Sequence, residues 1–447
     1  MEVDSGNMVH DIHENVSKSD DINTLMTNLA IDNNLSERSR LMALSSKIKL
    51  CDTDLENALE LFCYSHCDND ENPIIKNSRG VIFDGNNEKI FQGFPYTDEY
   101  VIDEKITEGT LDFIFSTPES SKFRFFPSTE GTLLRIFFYK KWYISTHRKL
   151  DAFRSKWSSR DSFGQIFVNS LFSLYNKDEH FKKRLGDNLS EENILTAFLN
   201  TLDTNNQYII LLGCTSDNRI VCAYHDDNAL FHVGTYSNNQ QEFNLDDNIG
   251  LRKSVELFFT NYASLINYVK NSSFEEKQGI IVFHGNNYTQ QLKLVNKEYN
   301  QLYQARGNEP SIKFRYLQVR KDKDAVDALY YLYPKFADTF DDYEYTLSQI
   351  ARKINNAYIS RFIKRKHIVV PKEEYTVMRS CHEWHLQDRE RNRISLQKVS
   401  EILNNQSASQ LNKMIRLHKN SDKEFTPSTR PRARSHNEIK TVSMEVS

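Results

Sequence analysis

Pro127-Ser128-Thr129-Glu130-Gly131-Thr132-Leu133-Leu134-Arg135 runs directly into Ile136-Phe137-Phe138-Tyr139, and the chain returns through Lys141-Trp142-Tyr143-Ile144-Ser145-Thr146-His147. β-Branched and aromatic side chains on each side of Tyr139-Lys140-Lys141 suit a pleated, half-buried surface, so the stretch reads as an antiparallel hairpin. Glu130-Gly131 opens its first strand. A glycine there lets a ligand approach the backbone, and an acid beside it can bond a sugar hydroxyl or hold a metal. A plain strand-opening turn uses the same two residues, so the chemistry has to be argued from their surroundings.

Upstream, Arg79-Gly80-Val81-Ile82-Phe83-Asp84-Gly85 reads as a strand ending in an Asp-Gly turn, with Lys89 to Phe94 as its partner. Downstream, Tyr208 to Leu212 reads as a buried strand, followed by Asn218-Arg219-Ile220-Val221 and by Leu230-Phe231-His232-Val233-Gly234. Gln278-Gly279-Ile280-Ile281-Val282-Phe283 and Lys293-Leu294-Val295 with Tyr299 continue the series.

In this order the segments resemble the RNA ligase branch of the covalent nucleotidyltransferases, the phage-type RNA ligases among them. The motif I pattern Lys-x-Asp-Gly-Ser-Leu falls on Ser128, Thr129, Glu130, Gly131, Thr132 and Leu133. The resemblance covers about residues 70 to 300 and implies an α+β fold of antiparallel sheets with flanking helices. It implies transfer of a nucleoside monophosphate from ATP or GTP to a lysine, assisted by Mg²⁺.

The reactive posts depart from the pattern. Ser128 stands at the nucleophilic lysine, Leu212 at the motif III glutamate, Gln278 at the metal-binding glutamate of motif IV and Val295 at the second lysine of motif V. A serine cannot form the phosphoramidate, and glutamine keeps one acceptor oxygen without the charge that attracts Mg²⁺. Lys105, before Glu108-Gly109, is a rival nucleophile one residue out of register. Arg79, Arg135, Arg148, Lys149, Arg219 and Lys293 are candidate nucleotide or RNA contacts, with Trp157 a candidate stacking partner. The expectation is a catalytically degenerate ligase-like module that binds RNA, a nucleotide or a protein. The alternatives are an active ligase or capping-type enzyme with a displaced lysine, using ATP and Mg²⁺, and a structural component of a virion or replication complex.

Residues 1–40 read as a flexible arm, 41–310 as the ligase-like domain, 311–419 as a helical domain able to hold a protein partner, and 420–447 as a disordered basic tail. Leu41, Leu44 and then Leu55 to Phe62 suggest a helical lead-in, and Ser190 a helix cap before Ile194. Residues 324–333 and 343–363 have helical periodicity, the second ending in Arg361, Lys364, Arg365, Lys366 and His367.

Net charge −4 with 26% charged residues excludes global attraction to phosphate, so any nucleic-acid site is a local patch. No apolar run has the length of a membrane span, and six irregularly spaced cysteines suit reduced thiols, so the chain reads as intracellular with no membrane partner. Cys63-Tyr64-Ser65-His66-Cys67, with Cys51 upstream, holds zinc-ligand residue types but follows Leu55, Ala58, Leu59 and Phe62 at helical spacing and reads as packing, and the histidines of Cys381-His382-Glu383-Trp384-His385 are three apart where a zinc-protease helix needs four. Nine prolines with abundant Asn, Asp, Ile and Lys fit an AT-rich genome such as that of a large DNA virus.

Overall fold

A computed structural model describes residues 35–103, 111–115, 123–216, 218–223, 229–237, 242–285 and 287–424. The chain divides into two compact units at Pro310/Ser311. The rival nucleophile Lys105, residues 1–34 of the expected arm and residues 425–447 of the expected tail lie outside the described residues.

The first unit is mixed α+β and is built on three sheets. The strands β1 (Ile48–Asp54), β2 (Leu59–Tyr64), β3 (Val81–Phe83) and β4 (Lys89–Phe91) form an antiparallel first sheet in that order. The next two, β5 (Asp98–Ile102) and β6 (Arg124–Ser128), become the outer strands of the third sheet. The hairpin with which the sequence reading begins is β7 (Gly131–Tyr139) and β8 (Lys141–Ser145), with Lys140 at φ +60° forming its tip. It joins β9 (Gln207–Gly213), β10 (Leu230–Tyr236) and β11 (Phe243–Asn244) in a second sheet ordered β11-β10-β9-β7-β8. Finally β12 (Gly279–His284) and β13 (Gln290–Asn296) complete the third sheet, β5-β13-β12-β6.

Period-two alternation decides which face of each strand does what. On β9, Tyr208, Ile210 and Leu212 turn to a core shared with helices Phe163–Lys177, Glu179–Leu185 and Ile194–Leu199. Ile209 turns the other way, into an aromatic core that joins all three sheets through Phe91, Phe137, Tyr236 and Phe283. On β12 and β13, Ile280, Val282, Leu292 and Leu294 pack under helix Tyr262–Asn271. The second and third sheets therefore face each other with helices on their outer sides.

Two local expectations are corrected. Leu55 to Phe62 is not helical: Leu55 is 91% exposed in a turn between β1 and β2. Asp54 Oδ1 accepts the backbone N–H groups of Glu56 and Asn57 at 3.1 and 3.2 Å, and Ala58 sits at φ +55°, so the chain reverses and pairs as a hairpin. The helix expected to start at Ser190 starts at Ile194, because Asn193 Oδ1 accepts the Ser190 N–H at 2.7 Å and holds the approach as a turn.

The second unit is helical: Ile312–Val319, Lys323–Leu332, Ala337–Tyr358, Lys372–Gln387, Leu396–Asn404 and Ala408–Glu424. The last helix continues four residues past Asn420, into the segment expected to be tail. Ser311, Asp322 and Ser395 cap three of the helix starts with side-chain acceptors. Cys381 is fully buried and His382 stacks on Phe362 at 4.0 Å, so the Cys-His-Glu-Trp-His string packs the bundle. No described helix is long and apolar enough to cross a membrane.

Candidate functional site

Between the second and third sheets lies a cavity of about 360 Å³. Its floor is the junction of β6 with β12, where Gly279 pairs with Ser128. The strand pairing brings Ser128 and Gln278, the positions the sequence resemblance aligns with motifs I and IV, into contact. Ser128 Oγ donates to Gln278 Oε1 at 3.2 Å, and the Gln278 backbone N–H donates to Ser128 O at 2.8 Å. The same alternation that aims Ile281 and Phe283 at the cavity aims Lys293 there from β13.

The wall is cationic. Arg79, Lys253 and Lys293 line it, as does Arg124. Lys293 Nζ pairs with Glu99 Oε1 at 2.6 Å, and the half-buried Lys253 ammonium donates to the Leu245 carbonyl while burial holds its pKa below the usual lysine range. Arg124 grips Glu256 at 2.6 and 2.9 Å and Asp246 at 2.8 and 2.9 Å, which pushes the Asp246 carboxyl below its usual range. These are the carboxylates on the described wall, and both are committed to Arg124. The residues present therefore do not fit a Mg²⁺ ion. Ser128 and Gln278 offer neutral oxygens that already bond each other, and no described acid on the wall is left to coordinate.

His232, on β10, was not singled out by the sequence reading, although a histidine inside an apolar strand was its signal. It is 1% exposed; Nε2 shares a hydrogen bond with Thr235 Oγ1 at 3.1 Å, and Thr235 in turn donates to Asp247. Nδ1 has no partner among the described residues. Burial, with Lys253 nearby, pushes the imidazole down to about 4, so it is neutral at pH 7. Gln291 on β13 is also buried on this wall, and its Nε2 lacks a partner.

Other expected site residues have structural surroundings. Glu130 is 3% exposed. Its carboxylate accepts the backbone N–H groups of Ile220, Val221 and Cys222 at 3.0–3.1 Å and the Tyr299 hydroxyl at 2.8 Å. Desolvation nevertheless raises its pKa. Gly131 is required because a Cβ there would collide with the Leu212 carbonyl across the β7–β9 pairing. Arg135 is buried, donates to the Gly80 and Thr146 carbonyls and stacks on Phe91 at 4.9 Å, with burial pushing it down to about 9. Arg148 is exposed and reaches only the Tyr64 carbonyl at 3.5 Å, Lys149 lies 3.4 Å from Asp52, and Arg219 donates to the Val221 carbonyl at 3.0 Å. None of Glu130, Arg135, Arg148, Lys149 and Arg219 is on the cavity wall. Trp157 is covered by the Arg306 guanidinium at 5.1 Å. Leu212 points into the helical core, and the β9 residue that lines the cavity is its neighbour Leu211. Among the described residues no three His, Cys, Asp or Glu side chains converge as a metal site would require.

Fold and site together define an α+β protein with a cationic, ligand-sized cavity between two facing sheets and no free carboxylate on its described wall. No protein-family model matches the chain. It is 30% identical over 400 residues to the immediate-early protein ICP-46 homolog of Invertebrate iridescent virus 6, covering 85% of each chain. It is 28% identical over 355 residues to the homolog of Invertebrate iridescent virus 3, covering 77% of this chain and 73% of that one. The chain belongs to the ICP-46 family of viral immediate-early proteins. Among solved structures, a putative ATP-dependent DNA ligase from Aquifex aeolicus aligns at 14% identity and a TM-score of 0.37, over 69% of this chain and 75% of that chain.

Proposed function

We propose that this protein is a ligase-like module of the RNA ligase type that has kept the nucleotide cavity and lost the transfer chemistry, and that it binds a phosphorylated nucleotide or RNA end. The observation that carries the reading is the Ser128–Gln278 hydrogen bond on the cavity floor. Nucleotidyl transfer needs a free amine at the first position and an anion at the second to hold a metal. Here two neutral side chains occupy those posts and satisfy each other, while Arg79 and Lys253 remain to attract phosphate. In the second unit, Lys364, Arg365 and Lys366 are exposed and have no ion-pair partner among the described residues, which supports contact with an RNA backbone.

The test is incubation with α-labelled ATP or GTP and Mg²⁺ or Mn²⁺, followed by denaturing electrophoresis. Titrations of AMP, ATP and 5′-phosphorylated RNA accompany it. Binding without covalent label is expected. A second reading, a working nucleotidyltransferase with a displaced lysine, is favoured by Lys253 on the wall, whose pKa burial holds below the usual lysine range, toward the free amine that a nucleophile needs. A label lost in Lys253→Ala or Lys105→Ala would replace the first reading with the second.

A further inference from the structure

A second cavity, of about 630 Å³, lies beside the first in the same unit. The segment from Gly93 to Asp98 separates them, with Phe94 and Thr97 facing the first cavity and Pro95, Tyr96 and Asp98 facing the second. Gln291 is on the wall of both. Both volumes fall in the range of ligand pockets, about 300–1,000 Å³.

The chemistry of the two walls differs. In the second cavity each cation already has its carboxylate: Lys76 bonds Asp98 at 2.7 Å, and Lys89 bonds Glu37 at 3.2 Å. This wall offers no unneutralised positive charge to a phosphate. It offers carboxamides. Among the described residues, the side chains of Asn77 and Gln290 make no hydrogen bond, and the buried Gln291 Nε2 is left without an acceptor. A buried donor in that state is unfavourable, and a ligand oxygen is the partner it lacks. Carboxamides pair a donor with an acceptor in one plane, the arrangement that matches the edge of a nucleobase. Tyr96 and His284 add rings on which a base can stack.

We infer that the second cavity is a separate binding site for an uncharged nucleoside, read by Asn77, Gln290 and Gln291 and stacked on Tyr96 or His284. The nucleoside is either free or the neighbouring residue of an oligonucleotide whose phosphorylated residue occupies the first cavity. Only the oligonucleotide case rests on the function proposed for the first cavity.

The experiment uses the full chain and measures adenosine and uridine binding by saturation-transfer NMR, alone and with AMP in excess. A 5′-phosphorylated adenosine dinucleotide is compared with AMP. The control is Asn77→Ala/Gln290→Ala, both exposed positions, with an unchanged melting temperature as proof of folding. A nucleoside is expected to bind with AMP present, and the double variant to weaken it about tenfold. A dinucleotide about tenfold tighter than AMP, losing that advantage in the variant, assigns the site to a chain; no such advantage assigns it to a free nucleoside. Failure of both nucleosides and the dinucleotide to show variant-sensitive binding overturns the site, as does displacement of adenosine by AMP. Failure of AMP alone, with nucleoside binding intact, overturns only the reading of the first cavity.

Discussion

Ser128 Oγ lies 3.2 Å from Gln278 Oε1, across a separation of 150 residues in the chain. The two side chains are thus adjacent across the β6–β12 junction, neutral and mutually bonded. The neighbouring motif residues, by contrast, have work to do in the fold. Gly131 admits the Leu212 carbonyl, and Glu130 gathers the Ile220–Cys222 backbone and Tyr299. Glu130 and Gly131 are thus explained by packing, whereas Ser128 and Gln278 line the cavity and Leu212 turns away from it into the helical core.

That division gives the first prediction. Glu130→Gln puts an amide N–H₂ among four donors and is expected to cost about 1.5–3 kcal/mol, and Gly131→Ala about 1–3 kcal/mol through displacement of β9. Ser128→Ala, which removes one neutral hydrogen bond, is expected to cost about 1 kcal/mol or less. Urea denaturation of the three variants ranks them; a Ser128 variant as unstable as the Glu130 variant would contradict the division.

The second prediction separates two arginines that look alike in sequence. Arg79 is half-buried on the cavity wall, with its nearest acceptors, Pro95 O and Thr97 Oγ1, at a long 3.5 Å. Arg135 holds two buried carbonyls and stacks on Phe91. Arg79→Ala is expected to lower AMP affinity about tenfold or more with a small change in melting temperature. Arg135→Met, which strips partners from the Gly80 and Thr146 carbonyls, is expected to lose about 2–4 kcal/mol of stability. Isothermal titration and denaturant unfolding on the same samples decide whether the roles are reversed.

The hairpins were legible because period-two runs bounded by Asp-Gly or Lys-Lys turns leave little else for the chain to do. The segments carrying Ser128, Gln278 and Lys293 are placed by resemblance, and their convergence follows from antiparallel pairing of β12 with both β6 and β13. Leu55 to Phe62 misled because Leu55, Ala58, Leu59 and Phe62 keep helical spacing by coincidence across a turn set by Asp54. The motif III alignment puts Leu212 at the nucleotide, but the pleat of β9 turns it away and presents Leu211 to the cavity. The cavity's charge is legible only in part: Arg79 and Lys293 are among the candidate contacts read from the sequence, whereas Arg124 and Lys253 come from separate elements and join them only when the sheets close on each other.

The third prediction concerns pH. His232 is pushed from an ordinary value of 6.5 down to about 4, mainly by burial. Between those values the unfolded chain binds a proton that the folded chain does not, so stability rises with pH through this window and is lost as pH falls from 6.5 toward 4. The full loss is of order 3 kcal/mol. His232→Gln, which keeps a donor for Thr235 Oγ1, removes this contribution. The difference between wild type and variant in urea midpoints at pH 7 and at about pH 4 measures it, and parallel pH profiles would show that the imidazole does not titrate as described.

The fourth prediction returns to the cavity floor. Gln278→Glu places a carboxylate where Ser128 is 5% exposed and the described acids on the wall are bound to Arg124. The new charge is partly desolvated and, at a side chain whose described hydrogen bond is to the neutral Ser128, has no cation bonded to it, so the variant is expected to be less stable than wild type at neutral pH in the absence of divalent ions. Mg²⁺ supplies that cation and binds only the folded chain, so it should raise the variant's melting temperature in a concentration-dependent way, while wild type, with a neutral amide, stays unmoved. Thermal melts of both proteins across a Mg²⁺ series, with Gln278→Leu as the uncharged control, make the comparison. An equal Mg²⁺ response in wild type would mean that a metal site survives beside Ser128, and the working-enzyme reading would then take precedence.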